Sequence, residues 1–180
     1  MKLAPVIAEL RRRCPSFEKR VYGSAQFAAI DESTVMAMPS AYVVPLGESV
    51  EEAPMSTGYS QNAEQSLGVI VYTSSKEDET GRDAFDKAED IKAEILKAIC
   101  GWCPSDEADE LAYDGSTVLG LNRARLAVQY EFTLPYRITD DETRNGVNLS
   151  ELPDLEGIDM TVDQAVPDGI DPVKVTINLK

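Results

Sequence analysis

The clearest feature of the chain is a helical pattern followed by an alternating pattern, between Arg82 and Leu134. In the helical part, apolar residues recur at steps of three and four positions and therefore share one helix face. They are Ala84, Ala88, Ile91, Ile95, Ala98, Ile99 and Trp102. In the alternating part, every second residue is apolar, as in a half-buried strand. They are Ala124, Leu126, Val128, Tyr130, Phe132 and Leu134. We predict a helix from about Glu79 to Cys100, then a strand over 123–134.

The first third of the chain predicts several shorter elements. Residues 3–13 have the spacing of an amphipathic helix with Val6, Ile7 and Leu10 on its apolar face, and Cys14-Pro15 ends it. A short strand at 20–22 and a helical turn at 25–30 follow. The apolar run at 41–46 predicts a strand, and Pro45 places that part of it at a sheet edge or a strand end.

The run at 64–74 is apolar on both faces at its centre, which predicts an interior strand covered on both sides. Glu48–Ser60, rich in Glu, Ser, Gly and Pro, predicts a long loop. That loop is either one that orders on contact with a partner or a disordered surface loop. Asp114-Gly115 predicts a turn between two short strands.

The character of the chain changes at Thr139. From there to position 171 the segment is rich in acidic residues and has a single basic residue, Arg144. Prolines at 153, 167 and 172 interrupt regular elements. We expect this segment to bury too little apolar surface to fold alone. Residues 173–179 then alternate as a strand does. This strand either adds to the sheet of another molecule or returns to the sheet of its own subunit.

Together these patterns predict an α+β fold over residues 1–138, with two helices packed on a mainly antiparallel sheet. An acidic C-terminal arm, residues 139–180, ends in the strand at 173–179. Burial of the large apolar residues of the second helix should outweigh its surface ion pairs. We expect the loss of Trp102 to destabilise the fold most.

Composition narrows the possible functions. The 180 residues carry a net charge of −15, which disfavours tight binding to nucleic acid, and Arg11–Arg13 fan out around a helix instead of forming one basic stripe. We expect these arginines to be solvated or to pair with an acidic neighbour. The chain has no histidine, so histidine-dependent nucleophiles and zinc sites are unavailable within it. Neither a membrane span nor a signal peptide is predicted, which favours synthesis in the cytoplasm.

Cys100 and Cys103 have the C-x-x-C spacing of redox and zinc sites. They fall at the C-terminal end of the predicted helix, where the helix dipole disfavours a thiolate. Cys14 supplies only a third sulfur, so one chain does not complete a four-cysteine zinc site. We expect Cys100 to fill core space, Cys103 to lie in a loop, and all three to be free thiols. We predict no catalytic, cofactor-binding or metal-binding residues and no enzymatic activity.

Several stretches of the chain resemble the tail terminator proteins of long-tailed bacteriophages. They are MKLAPVIAELRRRCPSF, AYVVPLGE, LGVIVYTSS, ILKAICGWCP and RARLAVQYEFTLPY, and the resemblance covers about residues 1–136. It implies a structural virion protein at the head-proximal end of the tail. Such a protein forms a ring, usually of six copies, that caps the tail tube, ends its polymerisation and joins the tail to head-completion proteins. DNA then passes through the channel without specific binding.

The sequence is also compatible with two other kinds of function. The first is another ring protein of the head–tail connector, a stopper or an adaptor, which differs in its partner. The second is a small redox protein that uses Cys100 and Cys103, or a monomeric acidic binding module.

Overall fold

A computed structural model of the chain describes residues 2–31, 34–52, 58–76, 82–105, 109–153, 157–162 and 173–178. By their internal packing the residues form two units, Met1–Thr139 and Asp140–Lys180.

The first unit is built on a five-stranded sheet with the order β1-β2-β3-β5-β4. Its strands are β1 (Val21–Gly23), β2 (Ser40–Val50), β3 (Ser60–Ser74), β4 (Ala112–Leu121) and β5 (Arg125–Thr139). All neighbours pair antiparallel except β1, which runs parallel to β2. The mainly antiparallel α+β fold and the interior position of β3 are thus confirmed. β5 is longer than predicted, because its pairing with β3 continues to Thr139.

Two helices cover one face of this sheet, as the periodicity predicted. They are α1 (Leu3–Arg13) and α3 (Arg82–Ile99). The predicted apolar face of α3 is buried from Ala84 to Ile99, together with the inward residues of β5. The hydroxyl of buried Tyr130 donates to the carbonyl of Ala88 at 2.8 Å, which ties the centre of β5 to α3. Trp102 lies just beyond the helix and is only partly buried against this core.

The opposite face of the sheet carries a second, smaller cluster. Tyr42, Val44, Ile70, Tyr72 and Ala127 are buried there. The short helix α2 (Ser24–Ala28) and the chain that follows it cover them with partly buried apolar side chains. Apolar side chains on both faces explain why the centre of β3 reads as a continuous apolar run.

The prediction of a loop over 48–60 was wrong at both ends. β2 continues to Val50, β3 begins at Ser60, and the residues at 53–57 lie outside the described part. The two strands remain paired from Gly47 to Val50 after a register shift at Pro45. Polar composition predicted a loop, but residues 48–50 pair with residues 63–65 of β3, and β3 in turn pairs with β5 as far as Ser60. These pairs satisfy the backbone of both strand ends.

The predicted turn at Asp114-Gly115 was also wrong, because both residues lie inside β4. The register of β4 against β5 shifts between Tyr113 and Gly115, and again between Val118 and Gly120. A bulge of this kind absorbs one extra residue without ending the strand. One irregular edge strand therefore replaces the two predicted short strands.

The second unit contains more regular structure than its composition predicted. A 3-10 turn at Asp140–Glu142 leads into helix α4 (Arg144–Ser150). Strands β6 (Gly157–Val162) and β7 (Val173–Asn178) then pair antiparallel. Within the described residues, β7 pairs with β6 and not with the five-stranded sheet, so the predicted return to that sheet was wrong. The alternative, addition to the sheet of another molecule, stays a prediction.

Candidate functional site

Both cysteines of the C-x-x-C pair are free thiols at the protein surface. Cys100 follows the last residue of α3 and is exposed, and so is Cys103. The prediction that Cys100 fills the core was wrong, since it lies about 100° around the helix axis from buried Ile99. Its place directly after α3 agrees with the predicted position at the C-terminal end of the helix.

The third cysteine, Cys14, is buried where α1 ends. Burial, together with the nearby carboxylates of Glu94 and Glu9, raises the pKa of its thiol to about 12. A thiol that stays protonated and enclosed is a poor nucleophile. Cys14 therefore has a packing role.

Thiol labelling separates these cysteines. At pH 8 we expect Ellman's reagent to modify Cys100 and Cys103 rapidly in the native protein, because both are exposed. Cys14 should react only after unfolding, because it is buried and its pKa is raised. The Cys100→Ser/Cys103→Ser variant serves as the control and should show almost no fast phase. Fast modification of that variant would contradict this assignment.

The described residues offer no other obvious chemistry. Within them no group of three or more cysteine or acidic residues is arranged to hold a metal ion. None of the described helices is long and apolar enough to span a membrane. Every buried side-chain nitrogen or oxygen in this part of the chain has a hydrogen-bond partner. The candidate functional features are therefore surfaces.

The first surface is the strand extension, which we define as residues 45–50, 60–66 and 133–139 of β2, β3 and β5. Its side chains are exposed or half-buried, apart from Ala63 and Leu134. Glu48 accepts hydrogen bonds from the Tyr136 hydroxyl and from the Gln65 amide, the latter at 2.9 Å, and these bonds lower the pKa of its carboxyl. The extension is thus a three-stranded, mostly polar platform, on which Leu46 and Val50 are also exposed.

The second surface is the basic end of the sheet, residues 11–20, which connect α1 to β1. Arg11 donates from Nε to the carbonyl of Val21 at 2.9 Å and so caps the outer strand. Arg12 and Arg13 both pair with Glu9, and the hydrogen bond from Arg12 is the largest cause of the lowered pKa of that carboxyl. Arg12 and Arg13 therefore converge on one carboxylate of their own helix, and only Arg11 points elsewhere, toward β1. The prediction that all three arginines fan out was wrong for this pair.

The third surface is the β4 end of the sheet, residues 109–122. In the described part of the chain, β4 pairs with β5 alone, so its other edge is open. Val118, Leu119 and Leu121 are each about half exposed along this edge. Asp109 and Glu110 precede β4 and Asp114 lies near its first residue, and all three are exposed. Sequence reasoning missed this surface because it treated the region as an acidic loop and two short strands.

Comparison with known proteins gives a family for the chain. No curated protein sequence matches it. A chain of the solved structure "Virion of native gene transfer agent (GTA) particle" is similar, with a TM-score of 0.49 and 17% identity over 75% of this chain and 93% of that chain. The family model described as "Phage tail terminator protein" matches residues 1–143. The chain therefore belongs to the phage tail terminator family, whose members are structural proteins of the virion tail.

Proposed function

We propose that this protein forms a ring, of six copies, that caps the head-proximal end of the tail tube, ends its polymerisation and joins the tail to the head-completion proteins. The match to the tail terminator family over residues 1–143 carries the proposal. The surfaces of the first unit support it, because they suit protein contacts and the described residues hold no reactive cluster. Residues 1–138 would form the ring-building domain and 139–180 an acidic arm.

A terminator needs one face that binds the end of the tube. Its opposite face must not accept a further tube subunit. The strand extension suits the first task. Its three strands are paired with one another, so binding orders few residues, and its polar side chains fit a hydrated contact. We assign the extension to the tube contact.

The net charge bears on the passage of DNA. Six copies of a chain with net charge −15 carry about −90 in total. Acidic residues that line the channel would repel the phosphate backbone and let DNA move without adhering.

The test is the mass of the purified chain by light scattering, alone and after mixing with the tail tube protein of the same virion. We expect a species of roughly 118 kDa for six copies of the 19.7 kDa chain, either in solution or at tube ends. Electron micrographs should show tubes that stop growing when the protein is added. A monomer that binds no tube and leaves tube growth unchanged would contradict the proposal and direct the search to the connector proteins.

The tube contact has its own test. Replacing Tyr136 by Phe and Glu48 by Gln removes a donor and a charge from the extension while keeping its shape. The Lys87→Glu/Lys97→Glu variant, on the exposed face of α3, serves as a control for surface charge. We expect the first variant to cap tubes more weakly at an unchanged oligomeric mass. Equal capping by both variants would contradict the assignment of the extension.

A further inference from the structure

The two ends of the sheet carry opposite charge. Residues 11–20 contain five basic residues and one acidic residue, Glu18, although the whole chain has a net charge of −15. Residues 109–122, the β4 end, contain the acidic residues Asp109, Glu110 and Asp114 and no lysine or arginine. The first segment leads into β1 and the second contains β4, and these are the two outer strands of the sheet. Glu9 and Glu94 offset part of the charge of the first segment, and Lys92 lies over the Tyr113 ring beside the second. Folding therefore gives the first unit one end with a surplus of basic residues and one with a surplus of acidic residues.

The two edges also differ in how they are protected. β1 is three residues long, and Arg11 caps the carbonyl of Val21. β4 is ten residues long and exposes Val118, Leu119 and Leu121. Long edge strands are normally blunted by charge, proline or cover, because open apolar edges pair with other chains. The bulges of β4 provide some of this protection, but its apolar side chains remain accessible.

The basic end also has apolar surface to offer. A groove of about 370 Å³ lies next to β1, between Tyr22, Tyr42 and the segments 29–30 and 34–37. Val35, on its rim, is 98% exposed. Arg12 and Arg13 keep 63% and 51% of their side chains exposed although they pair with Glu9. This end therefore combines positive charge with apolar contacts, which complements the β4 end.

We propose that the β4 end of one copy docks on the basic end of the next copy. The inference rests on the proposed ring and names the surfaces that close it. Because the contact joins two different surfaces, it is head-to-tail, and such contacts generate closed rings when the rotation between copies closes. The charges fix the order and register of the subunits, and the apolar side chains supply buried area.

A charge swap tests the contact. The Arg12→Glu/Arg13→Glu variant and the Glu110→Lys/Asp114→Lys variant should each place like charges together. We expect each to weaken ring formation on the order of 100-fold. The four substitutions combined in one chain should restore the ring, because the charges are then exchanged between the two ends. Higher salt should weaken the wild-type ring, since these charges are exposed.

The control and the outcomes keep this inference separate from the proposed function. Lys87→Glu/Lys97→Glu has the same change in charge as Arg12→Glu/Arg13→Glu but lies on the exposed face of α3, and it should leave the ring intact. Circular dichroism checks that every variant is folded. If the wild-type protein forms rings and both charge-reversed variants form them equally well, the inference is overturned. The proposed terminator function is then unaffected. A wild-type chain that stays monomeric with and without tubes would overturn both.

Discussion

Truncation of Phe132 to alanine should cost about 3–5 kcal/mol of unfolding free energy, the range for a fully buried aromatic residue. Phe132 is 0% exposed at the centre of β5. It lies in register between Leu67 on β3 and Tyr113 on β4, and its ring contacts that of Tyr113 with centroids 5.5 Å apart. Removal of the ring would open a cavity that three paired strands cannot close by a small shift. Urea unfolding followed by circular dichroism measures the loss.

The matched comparisons are Trp102→Ala and Phe85→Ala. Trp102 is only partly buried beyond the end of α3, so we expect a smaller loss, about 1–3 kcal/mol. Phe85 is 40% exposed on α3, and its truncation should cost about 1 kcal/mol or less. All variants must be compared at one protein concentration, because ring formation adds to apparent stability. A loss at Trp102 equal to or larger than that at Phe132 would restore the expectation drawn from the sequence.

The sequence predicted most of the elements because their patterns are local. The spacing in α1 and α3 and the alternation in β5 depend on the position of each residue relative to its own axis. Those patterns gave the bounds of α1 and the buried face of α3. They also placed Cys100 in the core, because the residue follows buried Ile99. One step along a helix turns a side chain by about 100°, and that step exposes it.

The errors arose where pairing with a distant strand overrode a local signal. Asp114-Gly115 is a common turn sequence, but β5 offers a continuous partner and a bulge keeps the strand paired. Glu48–Val50 is polar, yet it pairs with residues 63–65 of β3. The partner of β7 had a visible signal: Ile158, Met160 and Val162 alternate with polar residues. That alternation was overlooked because the surrounding segment is so acidic.

The candidate surfaces were harder to predict than the elements. The basic residues at 11–20 and the acidic residues at 109–114 are far apart in the sequence. Only the strand order sets them at opposite ends of one sheet, and that order depends on long-range pairing. A local pattern does not carry this information. The family resemblance predicted a ring. The residues on which that resemblance rests are mostly core and turn residues, so they do not indicate which surfaces are in contact.

Replacement of Ile95 by aspartate should abolish folding. Ile95 is 0% exposed at the centre of the buried face of α3. A carboxylate there would be buried without a charged partner, at a cost of several kcal/mol on top of the lost apolar contacts. That sum is comparable to the whole stability of a typical domain, about 5–15 kcal/mol. We expect the variant to show no cooperative unfolding transition and to lose the native fluorescence of Trp102, the only tryptophan in the chain.

The matched control is Ala93→Asp, the same acid two positions away on the exposed side of the same helix. It should keep the native fluorescence and lose only about 0.5 kcal/mol, because aspartate is a weaker helix former than alanine. Two positions on an α-helix differ by about 200° around its axis, so the pair compares the two faces of α3 directly. If both variants folded equally well, α3 would not pack on the sheet through this face. The core of the first unit would then be wrong, and with it the placement of the two ends that we assign to the ring contact.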